Sequence, residues 1–301
     1  MTLRQTPAPG GGAPPDGMPL TLADPSVDAA RAEALAWGAR PRRFGAWYMA
    51  EHVVRTMGAY KWTIVVGAVG QPVLYLLGLG AGLAALISVP IQDGDVSVRY
   101  LVFVAPALLA TAAISAASEE LSYPVMAGFK WRRLYYGPNA SPISSGQIAS
   151  GVVIATFLRI AIVVVVYFFF LVLFEAVPNL STGWLLIPIG ILGAASFGLP
   201  FMAYAASLEN DRGQFALVQR FVFMPMFLFS GTFYPLQVLP LWLQWVGWIS
   251  PLWHTSELGR AVSYGKPIEP WLLVVHLGYL LVLSIGAYVV ARRIFTVRLA
   301  R

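Results

Sequence analysis

No cysteine occurs in the 301 residues, so neither a disulfide nor a thiolate metal site can form, and the compartment's redox state leaves no trace. Charge is almost as scarce. Charged residues make up 11% of the chain against roughly 25% in soluble domains, while hydrophobic residues reach 58%. Length alone allows one or two soluble domains. Several apolar runs, however, exceed the ~20 residues needed to cross a hydrocarbon core. The composition specifies an all-α polytopic membrane protein. The net charge of +6 does not imply a nucleic-acid partner, because the charges sit between the apolar runs, where membrane orientation requires them.

Residues 1–41, rich in Pro, Gly, Ala and Asp ("PAPGGGAPPDG"), lack the charged start and apolar centre of a signal peptide and read as a disordered cytoplasmic tail. Residues 42–301 form the transmembrane domain. Within it, 42–60 reads as an N-terminal amphipathic interfacial helix. Trp47, Ala50, Val54 and Met57 recur at helical spacing, with Arg43, Glu51 and Arg55 off that stripe. A simple extension of the first span is the alternative. Six transmembrane helices follow, at about 62–86, 99–122, 149–175, 183–206, 216–234 and 271–292.

Lys and Arg set the orientation. Arg42, Arg43, Arg55, Lys61, Lys130, Arg132, Arg133, Arg212, Arg220, Arg292, Arg293, Arg298 and Arg301 fall on one side, and Arg99, Arg260 and Lys266 on the other. The positive-inside rule places both termini in the cytoplasm. Trp184, Trp242, Trp245, Trp248, Trp253 and Trp271 fall on the outer side, at the interface that indoles favour.

The fifth run breaks at "FLFSGTFYPLQVLP". Irregular backbone cannot face lipid, since each unpaired amide costs several kcal/mol. The following "LWLQWVGWISPLWHTSELGRAV" is too short and broken to cross and return. It reads as two short re-entrant helices between spans five and six, separated near Ser250-Pro251.

This order of residues also resembles a family. Ser230, Gly231, Thr232, Phe233, Tyr234 and Pro235, then Leu239-Pro240, Pro251-Leu252, His254, Glu257 and Arg260, are similar to the signature of ABC-2 type transporter permeases, the NodJ-like lipo-oligosaccharide branch in particular. The resemblance covers about residues 40–301 and implies a plasma-membrane export permease. It implies a separate cytoplasmic ABC ATPase that binds ATP and Mg, a second permease copy or paralogue, and an amphipathic lipid or glycolipid cargo. The chain itself would be no enzyme and hold no cofactor or metal. Drug-efflux permeases are relatives. An intramembrane acyl- or glycosyltransferase would need a cluster of His, Asp, Glu or Arg at one interface. An ion-coupled transporter would want midplane carboxylates and inverted repeats. Neither pattern is present.

Nucleotide motifs are missing too. Gly265-Lys266 precedes Pro267 and forms no phosphate-cradling loop, and "ISSGQ" at 143–147 reads as loop and helix-start chemistry.

Five constellations stand out. The second connection interleaves Phe129, Trp131, Leu134, Tyr135 and Tyr136 with Lys130, Arg132 and Arg133. In the family this loop couples to the ATPase, with Trp131 and Tyr135 as candidate anchors. An anchor at the headgroups fits the same residues. Arg159, about ten residues into span three, reaches the depth of Glu119 and Glu120, so that either an intramembrane ion pair or snorkelling to the headgroups would relieve its charge. Gly78 and Gly82 form a GxxxG in span one, a candidate permease dimer contact. His254 and Glu257, three apart, suit either acid/base or metal chemistry, or the satisfaction of buried polar groups. Tyr167, Phe168, Phe223 and Phe227 offer either an aromatic pathway wall or packing.

Overall fold

A computed structural model describes residues 25–83 and 89–300, and the chain divides into two compact units, 1–40 and 41–301. Helix α1 spans Pro25–Met57. Residues 25–41, expected to be disordered, are therefore helical. Their alanines carry the highest helix propensity, and Asp28 in the first turn complements the dipole. Residues 1–24 of the expected tail lie outside the described residues.

In the second unit α1 is interrupted at Phe44 (φ −112°, ψ 18°), just after Pro41, which lacks an amide hydrogen for the ladder. Beyond the kink the buried residues of this helix are Gly45, Met49, Ala50 and Met57. Of the expected apolar stripe, Ala50 and Met57 face inward, whereas Trp47 and Val54 are exposed. A 3-10 turn, Gly58–Tyr60, leads into α2, Lys61–Leu76, which widens to a π turn at Leu77–Leu83. Residues 84–86 of the expected first span lie outside the described residues. Strands β1 (Ile91–Asp93) and β2 (Val96–Val98) pair antiparallel, with Gly94 at φ +66° in their turn.

The helices that follow are α3 (Tyr100–Leu121), α4 (Tyr123–Phe129), α5 (Tyr136–Asn139), α6 (Ser145–Leu173), α7 (Leu180–Gly183) and α8 (Leu186–Ser207). Next come α9 (Gln214–Val218), a π turn (Gln219–Phe223) and α10 (Met224–Phe229). The chain ends with α11 (Leu241–Trp248), α12 (Pro251–Tyr264) and α13 (Pro270–Leu299). Among the described residues, five helical stretches are long and apolar enough to cross a membrane: Asp28–Leu79, Tyr100–Phe129, Ser145–Leu173, Leu180–Ser207 and Pro270–Leu299. The fold is a polytopic all-α membrane protein. The stretch Gln214–Phe229 is shorter, about 24 Å at 1.5 Å per residue. It stops at Ser230 rather than at 234, because Gly231 turns the chain at φ +72°.

Helix α6 begins where "ISSGQ" lies. The Ser144 hydroxyl accepts from the Gln147 amide, and the Gln147 side chain accepts from the Ser144 amide, a capping box that satisfies two orphan donors.

The core sits around α3, which is about 33 Å long. Alanines 105, 107, 110, 112, 113 and 117 of this helix are all almost fully buried. Such small side chains let α6, α8 and α12 approach its backbone closely. At Gly198 of α8 an added Cβ would lie 2.8 Å from the Cβ of Ala117, so α3 and α8 touch where only glycine fits. Gly198→Val is expected to destabilise the bundle by about 1–3 kcal/mol. The monodisperse fraction in mild detergent should fall, whereas Gly278→Val, at a position with open space around it, should leave that fraction unchanged.

Candidate functional site

Helix α4 carries the chain from the core into the aromatic and basic loop. The eight loop residues divide by direction. Phe129 and Tyr135 are buried, while Lys130, Trp131, Arg132, Arg133, Leu134 and Tyr136 are exposed. The inward pair is held by edge-on aromatic contact: Phe129 lies 4.9 Å from Tyr135 and 4.7 Å from Phe295 of α13, centroid to centroid. Gly128 leaves room for the Tyr135 ring, which a Cβ there would strike. Arg133 turns the loop with φ 49°, a left-handed conformation uncommon for a side chain. Tyr135, expected as an outward anchor, is instead part of the core, because its ring fills the space between Phe129 and Phe295.

Further bonds tie the loop to its neighbours. Lys130 donates to Asn210, and Tyr123 donates to Asp211 at 2.8 Å. Asn139 donates to the Leu299 carbonyl at 3.1 Å. Arg298 lies 4.3 Å from the centre of the Phe129 ring and donates to the Ala206 carbonyl at 2.6 Å. The loop, the 208–213 connection and the end of α13 form one assembly at one end of the bundle. The hydrogen bond from Tyr123 holds the Asp211 carboxyl below its usual range.

Arg159 of α6 meets α3 at that same end. One guanidinium nitrogen contacts the Glu120 carboxylate, and the other lies 3.7 Å from Glu119. Glu120 is buried, whereas the Glu119 side chain is 70% exposed. The structure brings the expected charges together and ranks them: Glu120 is the partner.

At the opposite end, α12 builds a second cluster. Ser250 starts this helix by accepting the Leu252 amide at 3.1 Å, with Pro251 in its first turn. Arg260 is fully buried. It donates to Glu257 at 2.8 Å and to the Gly231 carbonyl, and its guanidinium carbon lies 3.9 Å from the centre of the Phe103 ring. Lys266 bridges Glu257 at 2.6 Å and Asp93 at 2.8 Å, and Tyr264 donates to Asp93 at 2.6 Å. Burial pushes the Tyr264 hydroxyl well above its usual range, so it stays a donor. Two cations and two anions thus join α12, the turn at Gly231 and the hairpin at Asp93, with no net charge. Ser230 and Thr232 flank Gly231 and are fully buried. Pro235 and Pro240 stand immediately before the 3-10 turn Leu236–Val238 and helix α11, respectively.

His254 does not meet Glu257. One ring nitrogen lies 2.7 Å from a His276 nitrogen and the other 3.0 Å from the Trp248 carbonyl, so the first His pair is one donor and one acceptor. Burial pushes His254 down to about 4, leaving it neutral. Both ring nitrogens are engaged, and among the described residues no group of three or more His, Cys, Asp or Glu could hold a metal ion.

Sequence reasoning missed Asp93, Tyr264, Lys266 and Phe103. The Glu257–Arg260 spacing was visible, but the other contacts cross up to 173 residues. Of the suggested aromatic wall, Tyr167 and Phe223 are buried within the bundle rather than open to a pathway. Gly78 and Gly82 lie on the π turn after α2 and are exposed, with no neighbour close to Gly78.

Replacing Arg159 by Glu would leave Glu120 facing a like charge in a buried site. A folding cost of about 3–5 kcal/mol is expected for breaking such a pair. Arg159→Glu with Glu120→Arg should recover folded protein in a detergent stability assay. Arg159→Glu with Glu119→Arg should recover less, and equal recovery would contradict the ranking.

Comparison with known proteins adds a further observation. Residues 51–264 match the family described as ABC-2 type transporter. Nodulation protein J of Rhizobium leguminosarum bv. viciae is 28% identical over 247 residues, covering 79% of this chain and 88% of that protein. The protein of the same description from Rhizobium leguminosarum bv. trifolii is 28% identical over 247 residues, 79% and 87% of the two chains. That from Rhizobium meliloti is 28% identical over 233 residues, 74% and 79% of the two chains.

Proposed function

The chain belongs to the ABC-2 type transporter family, and from that premise we propose that it is the permease of an exporter powered by a separate cytoplasmic ATPase. Its cargo is an amphipathic glycolipid, a lipo-oligosaccharide or a similar molecule, as the motif resemblance implies and as similarity to proteins named for nodulation supports. ATP and Mg belong to the ATPase. This chain provides, with a second copy or paralogue, a pathway through the plasma membrane, and Gly78 and Gly82 offer a close-packing contact between the two.

In this reading Gln214–Phe229 is the fifth of six spans, and α11 and α12 dip into the outer leaflet without crossing. The basic end, with Arg132, Arg133, Arg212, Arg292 and Arg293, faces the cytoplasm together with both termini. The exposed indoles Trp242, Trp245 and Trp248 then meet the outer interface.

One observation carries the assignment of the loop. Trp131, Arg132 and Arg133 are exposed on a segment whose inner residues are locked against Phe295. A partner gripping the exposed residues would therefore pull on α13 and α3 directly. Aromatic and Arg side chains are the usual anchors of such contacts.

Trp131→Ala should leave abundance unchanged and weaken ATPase association by roughly thirtyfold, the equivalent of about 2 kcal/mol, with export falling in parallel. Tyr135→Ala should behave differently and lower abundance, because removing a buried aromatic costs about 3–5 kcal/mol. Co-purification, transport of labelled lipid and quantitative immunoblotting read the three quantities. A Trp131→Ala protein that binds the ATPase and exports like the parent would sink this reading.

Orientation has its own test, made simple by the absence of cysteine. A cysteine at Glu269 should react with an impermeant maleimide only from outside the cell, and one at Gly137 only from the cytoplasmic side. The reverse pattern would invert the topology.

A further inference from the structure

One face of α13 carries an apolar stripe that ends in arginine. At about 100° per residue, Trp271, Val282, Ile285 and Val289 fall within a single arc of roughly 100°, and Arg292 and Arg293 continue it. All four stripe residues are exposed. The helical rise puts Arg292 about 32 Å from Trp271 along the axis, against a hydrocarbon core of ~30 Å. The indole therefore marks one interface, and the two guanidinium groups lie at the depth of the lipid phosphates at the other.

Both arginines are exposed, and among the described residues neither is in a salt bridge. Arg292 is nevertheless held in place. Its guanidinium carbon lies 5.7 Å from the centre of the Tyr288 ring, and one of its nitrogens lies 2.8 Å from where a Cβ on Gly146 would stand. Gly146 belongs to the first turn of α6, whose positive end supplies no counter-charge. A groove of about 440 Å³ runs between Val289, Arg292, Arg293, Thr296 and Val297. It adjoins a second, of about 300 Å³, where Arg293 and Val297 meet Ser207 and Glu209 beside the end of α8. Arg298 lines that second groove too, although its guanidinium is engaged by the Ala206 carbonyl and the Phe129 ring. Three arginines against one carboxylate leave two positive charges unmatched across the two grooves.

The chemistry of this end is that of a phosphate site with an apolar approach. Guanidinium groups match phosphate oxygens in two-point geometry. A soluble anion would use the arginines and leave the stripe without a role. A phosphate joined to long apolar chains meets both, and the unmatched positive charge favours a headgroup that carries no ammonium of its own. We propose that this end of α13 is a site for an anionic phospholipid, with its phosphodiester between Arg292 and Arg293 and its chains on Val282, Ile285 and Val289. Phe295 and Arg298 of the same segment support Phe129 of the aromatic loop, so the bound lipid fixes the helix end on which that loop rests. The inference requires that α13 span the membrane and is independent of the export reading.

The test uses full-length permease in nanodiscs and two probes with the same diazirine-bearing acyl chains, a phosphatidylglycerol and a phosphatidylcholine. Each arginine beside an anionic headgroup is worth roughly fivefold in binding, so the phosphatidylglycerol should label the Val282–Val289 stretch roughly thirtyfold more than the phosphatidylcholine. Arg292→Gln with Arg293→Gln should bring that ratio close to one. Arg292→Lys with Arg293→Lys, which keeps the charges, should hold it within about threefold of the parent, and Arg212→Gln, at another exposed arginine of the same end, should leave it unchanged. The monodisperse fraction checks that each variant is folded. A parent ratio near one, or a ratio that the Gln pair does not move, overturns the proposal. Loss of the preference in excess inorganic phosphate would make this a site for a soluble anion and overturn the lipid. If the Gln pair alters the oligomeric state or ATPase association while the ratio stays as in the parent, the arginines serve a protein partner and the lipid site fails.

Discussion

Inside a bilayer the force that normally gathers apolar helices is absent, because lipid chains are as apolar as leucine. The bundle therefore depends on how closely its helices approach, and that depends on the thinness of α3. Alanine at its contact positions, met by Gly198 on α8, lets the surrounding helices make dense dispersion contacts along one axis. Larger side chains there would push α6, α8 and α12 outward and separate every group that α3 positions. The Glu120–Arg159 pair and the contact of Phe103 with Arg260 both hang on this one helix.

Charge is used sparingly and is neutralised where it is buried. Each desolvated ion costs several kcal/mol, which a partner in good geometry offsets. The pair at one end and the four-residue cluster at the other are each close to neutral. Between them α3 runs through apolar surroundings. What distinguishes the two ends is their reach. The Glu120 pair joins neighbouring helices, whereas the Arg260 cluster gathers a hairpin, a broken turn and a short helix that lie far apart along the chain.

Much of this was legible from residues alone. Long apolar runs, the arginine distribution and the break at Ser230–Thr232 follow from solvent chemistry, and the capping box at Ser144–Gln147 follows from local hydrogen bonding. Depth along neighbouring spans sufficed to bring Arg159 near Glu119 and Glu120, though it could not rank them, since rank depends on the rotation of α3. The direction of Phe129 and Tyr135 was likewise invisible, because an irregular loop has no periodicity to read. Asp93 gave no signal at all: its partners lie on α12 and just beyond it.

The distances along the chain between paired charges also set an order of events during synthesis. Glu120 and Arg159 belong to helices that emerge in succession, so their hairpin can be neutral before the rest of the chain exists. Asp93 and Lys266 are 173 residues apart. At a synthesis rate of about 5–20 residues per second, Asp93 waits roughly 10–35 s for its lysine. During that interval the hairpin must keep its carboxylate hydrated at the membrane surface. This end of the bundle is thus closed late, by a residue that emerges late sealing one that emerged early.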